Sequence, residues 1–181
     1  MQEIKVTIQG VTPLLQNRFL QSQIEGGSKK KTGAERAQDP LAKLYTLPNG
    51  TLYQPAVCIT RCLIDAGKNF QIKGKQKATY SKLFGSSISV EPDAITHKIQ
   101  KWAPFTISAV NPMTKGRMIV TRPMFEKWAL DFRLQVLDDG IPIEVVKEAL
   151  DYAGMYVGIG DWRPEKKGKY GKFIVTELKA V

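Results

Sequence analysis

Apolar and polar residues alternate without a break over residues 3–9, with Ile4, Val6 and Ile8 on one side and Glu3, Lys5, Thr7 and Gln9 on the other. A period of two is that of a half-buried strand. The same period returns where Trp128, Leu130, Phe132, Leu134 and Val136 oppose Ala129, Asp131, Arg133 and Gln135, and it predicts a second long strand there. Shorter strand-like runs occupy 88–90, 105–110 and 117–122. The last two flank an Asn111-Pro112 turn and predict a hairpin, and a closing strand is expected over 172–179.

Helical spacing appears twice. Pro55 opens a helix expected to run to about Ala66 and to be closed by Gly67. The other helix places Ile143, Val146, Ala149, Leu150 and Ala153 on one face and Glu144, Lys147, Glu148 and Asp151 on the opposite one. Asp138-Asp139-Gly140 is expected to end the preceding strand and cap this helix, because carboxylates suit the free N–H groups of a first turn. Asp39-Pro40 reads as a short helical start, and Pro48-Asn49-Gly50 as a turn that returns the chain through Leu52 and Tyr53.

Residues 21–38 and 68–82 show no apolar period and read as a polar loop and a basic insertion. Strand, helix and strand at each end, with antiparallel material between, predict an α+β fold. We expect one domain over 1–181, an elaborated ferredoxin-like or RRM-like antiparallel sheet with two main helices and basic loop insertions at about 20–38 and 68–126.

Charge changes this picture. The chain carries 27 basic and 17 acidic side chains, a formal charge of +10. Residues 26–36, 66–82 and 158–172 carry net charges of +3, +5 and +3, which account for the whole excess. The strand and helix scaffold is therefore near neutral and the positive charge sits in loops, as in a surface that tracks a phosphate backbone; solubility alone is the plainer reading of such lysines. Lys29, Lys30 and Lys31 in the first loop and Lys73, Lys75 and Lys77 in the second are candidate phosphate contacts.

The third loop adds aromatic rings and glycines to the cations. Trp162, Arg163, Lys166, Lys167, Lys169, Tyr170 and Lys172 lie between a helix and a strand, among Gly158, Gly160, Gly168 and Gly171. Glycine permits close backbone approach, rings stack on unpaired bases, and cations neutralise phosphate, so the combination suits a single strand better than a duplex. A loop whose Trp covers the edge of the core is the structural alternative. The glycines follow a helix and no Gly-Lys-Ser or Gly-Lys-Thr is present, which argues against a nucleotide-hydrolysing phosphate loop. No helix-turn-helix spacing supports a duplex-DNA regulator.

Cys58 and Cys62 share a helical face without a second Cys pair and read as small buried hydrophobes in a reducing cytosol, not as zinc ligands. The longest apolar runs are too short to cross a bilayer, and Met1-Gln2-Glu3 lacks the layout of a signal peptide, so a cytoplasmic location with no membrane partner is expected.

Three segments resemble the repeat-associated (RAMP) superfamily, which supplies backbone subunits of CRISPR effector complexes. Val11-Thr12-Pro13-Leu14-Leu15 is similar to that family's opening strand and Thr-Pro-Leu. Tyr53-Gln54-Pro55-Ala56-Val57-Cys58-Ile59-Thr60-Arg61 resembles its helix start bearing a basic residue. Gly168-Lys169-Tyr170-Gly171-Lys172-Phe173 resembles its glycine loop and last strand start, with Trp162 and Pro164 as departures. The length is short for an effector backbone subunit, which points to a stand-alone or mobile-element relative. The resemblance implies an RRM-like fold, RNA contact by the glycine loop and first helix, and head-to-tail assembly along that RNA. It also implies that Asn17, Arg18, Arg61, Arg117 and Arg122 lie near the RNA.

The expected function is therefore binding of single-stranded nucleic acid, RNA before DNA, by a subunit that assembles along its ligand or with other subunits; a single-stranded DNA-binding or annealing protein is the alternative. Some relatives cut RNA with an Asp in the loop after the first strand, and Asp39 is the residue in that stretch here, so a metal-dependent endoribonuclease is a third reading. Asp39 before Pro40 is better explained as a helix cap. His97, the sole histidine, has no assignable partner, and Asp138 and Asp139 read as a turn. No catalytic residue, metal or cofactor is expected.

Overall fold

A computed structural model describes residues 1–18, 39–75, 77–110 and 115–180. The candidates Lys29, Lys30 and Lys31 lie outside the described residues. In chain order the elements are β1 (Gln2–Gly10), β2 (Leu14–Leu15), a 3-10 turn (Leu41–Lys43), β3 (Tyr53–Pro55) and α1 (Ala56–Gly67). Next come α2 (Tyr80–Ser87), β4 (Ile88–Glu91), β5 (Ala94–Thr96), β6 (Ala103–Val110), β7 (Arg117–Phe125) and β8 (Ala129–Val136). The chain closes with α3 (Ile143–Tyr152), a π turn (Ala153–Val157), a 3-10 turn (Pro164–Lys166) and β9 (Phe173–Ala180).

The two long alternating segments pair with one another. β1 and β8 run antiparallel with Ile4 opposite Leu134, Val6 opposite Phe132 and Ile8 opposite Leu130, all buried. A slip of one residue would turn Lys5 and Thr7 into the core and Ile4, Val6 and Ile8 out of it, so burial sets the register. β9 joins the other side of β1 and β4 joins β8, giving an antiparallel sheet of order β4-β8-β1-β9. With α1 between β1 and β4 and α3 between β8 and β9, this is the ferredoxin-like arrangement. Ile59, Cys62 and Leu63 of α1 and Val146, Ala149 and Leu150 of α3 cover one face of the sheet.

Two smaller sheets carry the elaborations. β6 and β7 form the expected hairpin, β2 pairs with the far edge of β7, and β3 pairs with β5. Among the described residues no helix is long and apolar enough to cross a membrane.

Three local expectations are corrected. Only the first part of 68–82 is an exposed basic turn, held by bonds from Ile72 N to Ala78 O (2.9 Å) and from Tyr80 N to Phe70 O (3.0 Å). From Tyr80 the chain is helical, and Tyr80 and Phe84, one turn apart, stack at 5.6 Å inside the core. Gly67 is the last residue of α1 and not a stop beyond it; a Cβ there would lie 2.8 Å from the Phe84 ring, so its role is to let α2 approach. The Asp138 carboxylate accepts from Gly140 N (2.8 Å) and does not cap α3, which starts after Pro142 with no side-chain cap. Pro142 is the N-cap residue and carries no N–H to satisfy, so Asp138 shapes the turn, while Asp139 pairs with the Met1 amine (2.6 Å).

Candidate nucleic-acid interface

The segment after β1 is stitched to the glycine loop on both sides. Asp161 N donates to Leu15 O (2.8 Å), Gly171 N to Pro13 O (2.8 Å) and Lys172 N to Thr12 Oγ1 (3.0 Å), while Trp128, just before β8, donates from Nε1 to Thr12 O (2.8 Å). Gly160 adopts φ 81°, and a Cβ on it would strike the Leu15 carbonyl, so this crossing requires glycine. The loop is thereby laid against β2, and the start of α1 faces both.

A cleft of about 360 Å³ opens where these three meet. Gln16, Asn17 and Tyr45 form one wall, Val57, Cys58 and Arg61 of α1 a second, and Gly160, Asp161 and Arg163 the third. The first turn of α1 borders this opening through Val57 and Cys58 and has no side-chain cap; Ala56 N donates to Asp93 O (2.8 Å), and the positive end of the helix dipole lies at the cleft. An anion fits such a place.

The floor is a buried polar network. Gln16 Nε2 donates to Tyr53 O (2.8 Å) and Gln54 Oε1 (3.1 Å), while Gln16 Oε1 accepts from Tyr45 N (3.1 Å). His97 Nε2 lies 3.2 Å from the Gln16 amide, and its ring stacks on Phe125 at 4.4 Å. Burial holds the His97 pKa down at about 4, so the imidazole is neutral and sealed behind Gln16. The Cys62 thiol is buried and donates to Gly158 O (3.3 Å), tying α1 to the glycine loop; burial raises its pKa. Cys58 departs from the expectation of a buried hydrophobe, because it is only partly covered and lines the cleft.

The candidate cations divide sharply. Arg61 and Arg18 are exposed and make no side-chain ion pair among the described residues, and Asn17 is exposed beside them. Arg163 turns its guanidinium to Glu165 (2.6 Å) and Gly160 O (3.3 Å) at the cleft rim. Arg122 is a structural tie: its Nε donates to Asp161 Oδ2 at 2.7 Å. Beneath them Lys43, 6% exposed, donates to Thr121 O (2.8 Å), and burial followed by the nearby Arg122 charge lowers its pKa to about 8.

Beyond the cleft, Lys166 pairs with Glu165 (3.3 Å), Lys167 is exposed, Lys169 lies over the Tyr170 ring at 5.6 Å, and Lys172 is half-buried. Trp162 and Tyr170 are half-buried neighbours with centroids 6.4 Å apart. Arg117 is exposed at the far end of the hairpin, opposite Val110. Lys73, Lys75 and Lys77 are exposed past the C-terminus of α1, the end away from the cleft, and about 8 Å of helix axis lies between the cleft residue Cys62 and that end. The Asp39 carboxylate accepts from Ala42 N (3.3 Å), the capping role expected of it.

Sequence reasoning missed Gln16, Tyr45, Cys58, Lys43 and Asp161. Gln16 carried the one available signal, a polar residue directly after an apolar pair. The others depend on what lies across the fold.

No family model matches the chain, and no curated protein matches it. Among solved structures, a chain of the Type III-B Cmr-beta complex bound to cognate target RNA, solved by cryo-EM, superposes with a TM-score of 0.61. The fold is shared. Identity is 15% over 99% of this chain, which spans 60% of that one.

Proposed function

We propose that this chain is an RNA-binding subunit of a CRISPR-like ribonucleoprotein, a relative of the RAMP backbone subunits, that holds a single strand in the cleft and assembles along it. The cleft is the observation that carries this reading. It joins the N-terminal end of α1, the glycine loop laid on β2, and Arg61, which is exposed and has no side-chain ion pair among the described residues; Arg18, exposed likewise, follows the cleft residue Asn17. The helix end and the arginines are complementary to phosphate, while His97 is sealed behind Gln16 and Asp39 caps a turn. The shared fold with a chain of an RNA-bound complex supports RNA as the polymer.

The uncovered face of the main sheet supports binding through loops. It carries Arg133 paired with Glu3 (3.1 Å) and Lys98 paired with Asp131 (2.8 Å), and β1, β4 and β8 present no aromatic ring outward. Stacking on the sheet, the usual RRM mode, is thus absent from these strands. We read 1–181 as one RRM-like domain with insertions, working in the cytoplasm with both cysteines reduced.

Purification without nuclease tests the reading. RNase-sensitive material of defined length in a large particle is the expected result. DNase-sensitive material would replace RNA by single-stranded DNA, and a nucleic-acid-free monomer that binds neither polymer would end the proposal.

A further inference from the structure

Phe105, Tyr170 and Trp162 form a row of rings that crosses from the hairpin to the glycine loop. Centroids are 5.7 Å apart between Phe105 and Tyr170 and 6.4 Å apart between Tyr170 and Trp162. All three are half-buried, and none belongs to the hydrophobic core or to the side chains packed against it. Rings of this size left outside the core need another partner.

The backbone holds the row in place at a cost. Trp162 has φ 48°, a left-handed conformation that bulky residues rarely adopt and that persists only where surrounding structure imposes it. Tyr170 N donates to Trp162 O (3.1 Å), and Gly168 is required because a Cβ there would run into that carbonyl. On the hairpin side, Phe105 sits directly opposite Arg122, whose bond to Asp161 fixes the hairpin against the loop. Lys169 lies over the Tyr170 ring, so a cation accompanies the aromatic row. The Trp162 and Tyr170 planes are inclined by 34° and those of Phe105 and Tyr170 by 59°, so the row is tilted from ring to ring.

We propose that Trp162, Tyr170 and Phe105 form a stacking site for unpaired bases, beside the cleft that takes the phosphates. This rests on the nucleic-acid reading and adds to it a site for bases, with Phe105 a residue that the sequence did not single out. Every base has a π face, so the site tolerates any sequence but not a strand without bases.

The test compares a short oligoadenylate with an abasic strand of the same length, using the full chain. Wild-type protein is expected to bind oligoadenylate more tightly. Phe105→Ala and Trp162→Ala are expected to weaken oligoadenylate binding about 5- to 150-fold and to leave the abasic strand unaffected. Phe105→Tyr is expected to retain wild-type binding. Phe105→Leu keeps an apolar contact with Tyr170 without a flat ring; it is expected to melt like wild type and bind like Phe105→Ala, which separates stacking from folding. Equal wild-type affinity for both strands, or folded Phe105 variants with unchanged oligoadenylate affinity, would overturn the site. If Arg61→Glu still abolishes binding of both strands in that case, the cleft reading stands and only the stacking site falls. Failure to bind either strand overturns both.

Discussion

Arg122 on β7 and Asp161 in the glycine loop, 39 residues apart, are joined by a 2.7 Å bond between Nε and Oδ2. Their side chains are 14% and 24% exposed, so the pair is substantially withdrawn from water. It lies over the buried Lys43 amine, whose charge the Asp161 carboxylate helps to balance. This contact fixes the angle between hairpin and loop, and with it one wall of the cleft.

Asp161→Ala leaves Arg122 and Lys43 facing one another without the carboxylate between them. The expected loss is about 1–3 kcal/mol of stability, measured by urea denaturation, with Asp161→Asn losing less because the amide oxygen still accepts from Arg122. Equal stability of the alanine variant and wild type would show that the pair does not hold the loop.

Acid should act through His97. Its pKa is near 6.5 unfolded and about 4 folded, so the unfolded chain binds the extra proton first. The stability from keeping this ring neutral is fully present above pH 6.5 and declines as pH falls toward 4, reaching a loss of about 3 kcal/mol. Denaturation midpoints across this range should fall more steeply for wild type than for His97→Gln, which keeps an acceptor for Gln16 but does not titrate. Parallel curves would remove His97 from the acid response.

Arg61 is exposed on the cleft wall and has no side-chain ion pair among the described residues. Arg61→Ala should leave thermal stability within about 0.5 kcal/mol of wild type while weakening binding of single strands. The slope of log K against log salt should become shallower by about 0.7, the release expected for one phosphate contact. An unchanged slope would take Arg61 out of the interface.

Lys73, Lys75 and Lys77 lie at the opposite end of α1 from the cleft. Replacing all three with Ala should leave the affinity of an oligonucleotide that fills only the cleft unchanged. For a longer strand that reaches past α1, the salt slope should fall by about 2. A loss on the short oligonucleotide would contradict the separation of the two sites.

The strands of the main sheet, the hairpin and the two main helices could be read from residue order because each is a local pattern, whereas the short β2 and β5 could not. Ile4, Val6 and Ile8 alternate, and Val146, Ala149 and Leu150 recur at helical spacing, wherever the rest of the chain goes. α2 escaped notice because its apolar face is short: Tyr80 and Phe84 lie one turn apart after a lysine-rich turn, and only the close approach at Gly67 gives them a surface to bury against. Asp138 misled for a related reason, since a carboxylate before a helix serves a turn or a cap equally well until the backbone is placed.

The residue order by itself established the periodicities, the +10 charge and its confinement to loops, and the combination of glycine, ring and cation at 158–172. It could not separate Arg61, exposed at the cleft with no ion pair among the described residues, from Arg122, held by Asp161, because an arginine's availability depends on whichever carboxylate the fold brings beside it. Nor could it place Gln16, Arg61 and Gly160 around one opening, or Phe105 next to Tyr170. Those contacts join segments tens of residues apart, and they form only when the buried faces of β1, β8, α1 and α3 close on one another.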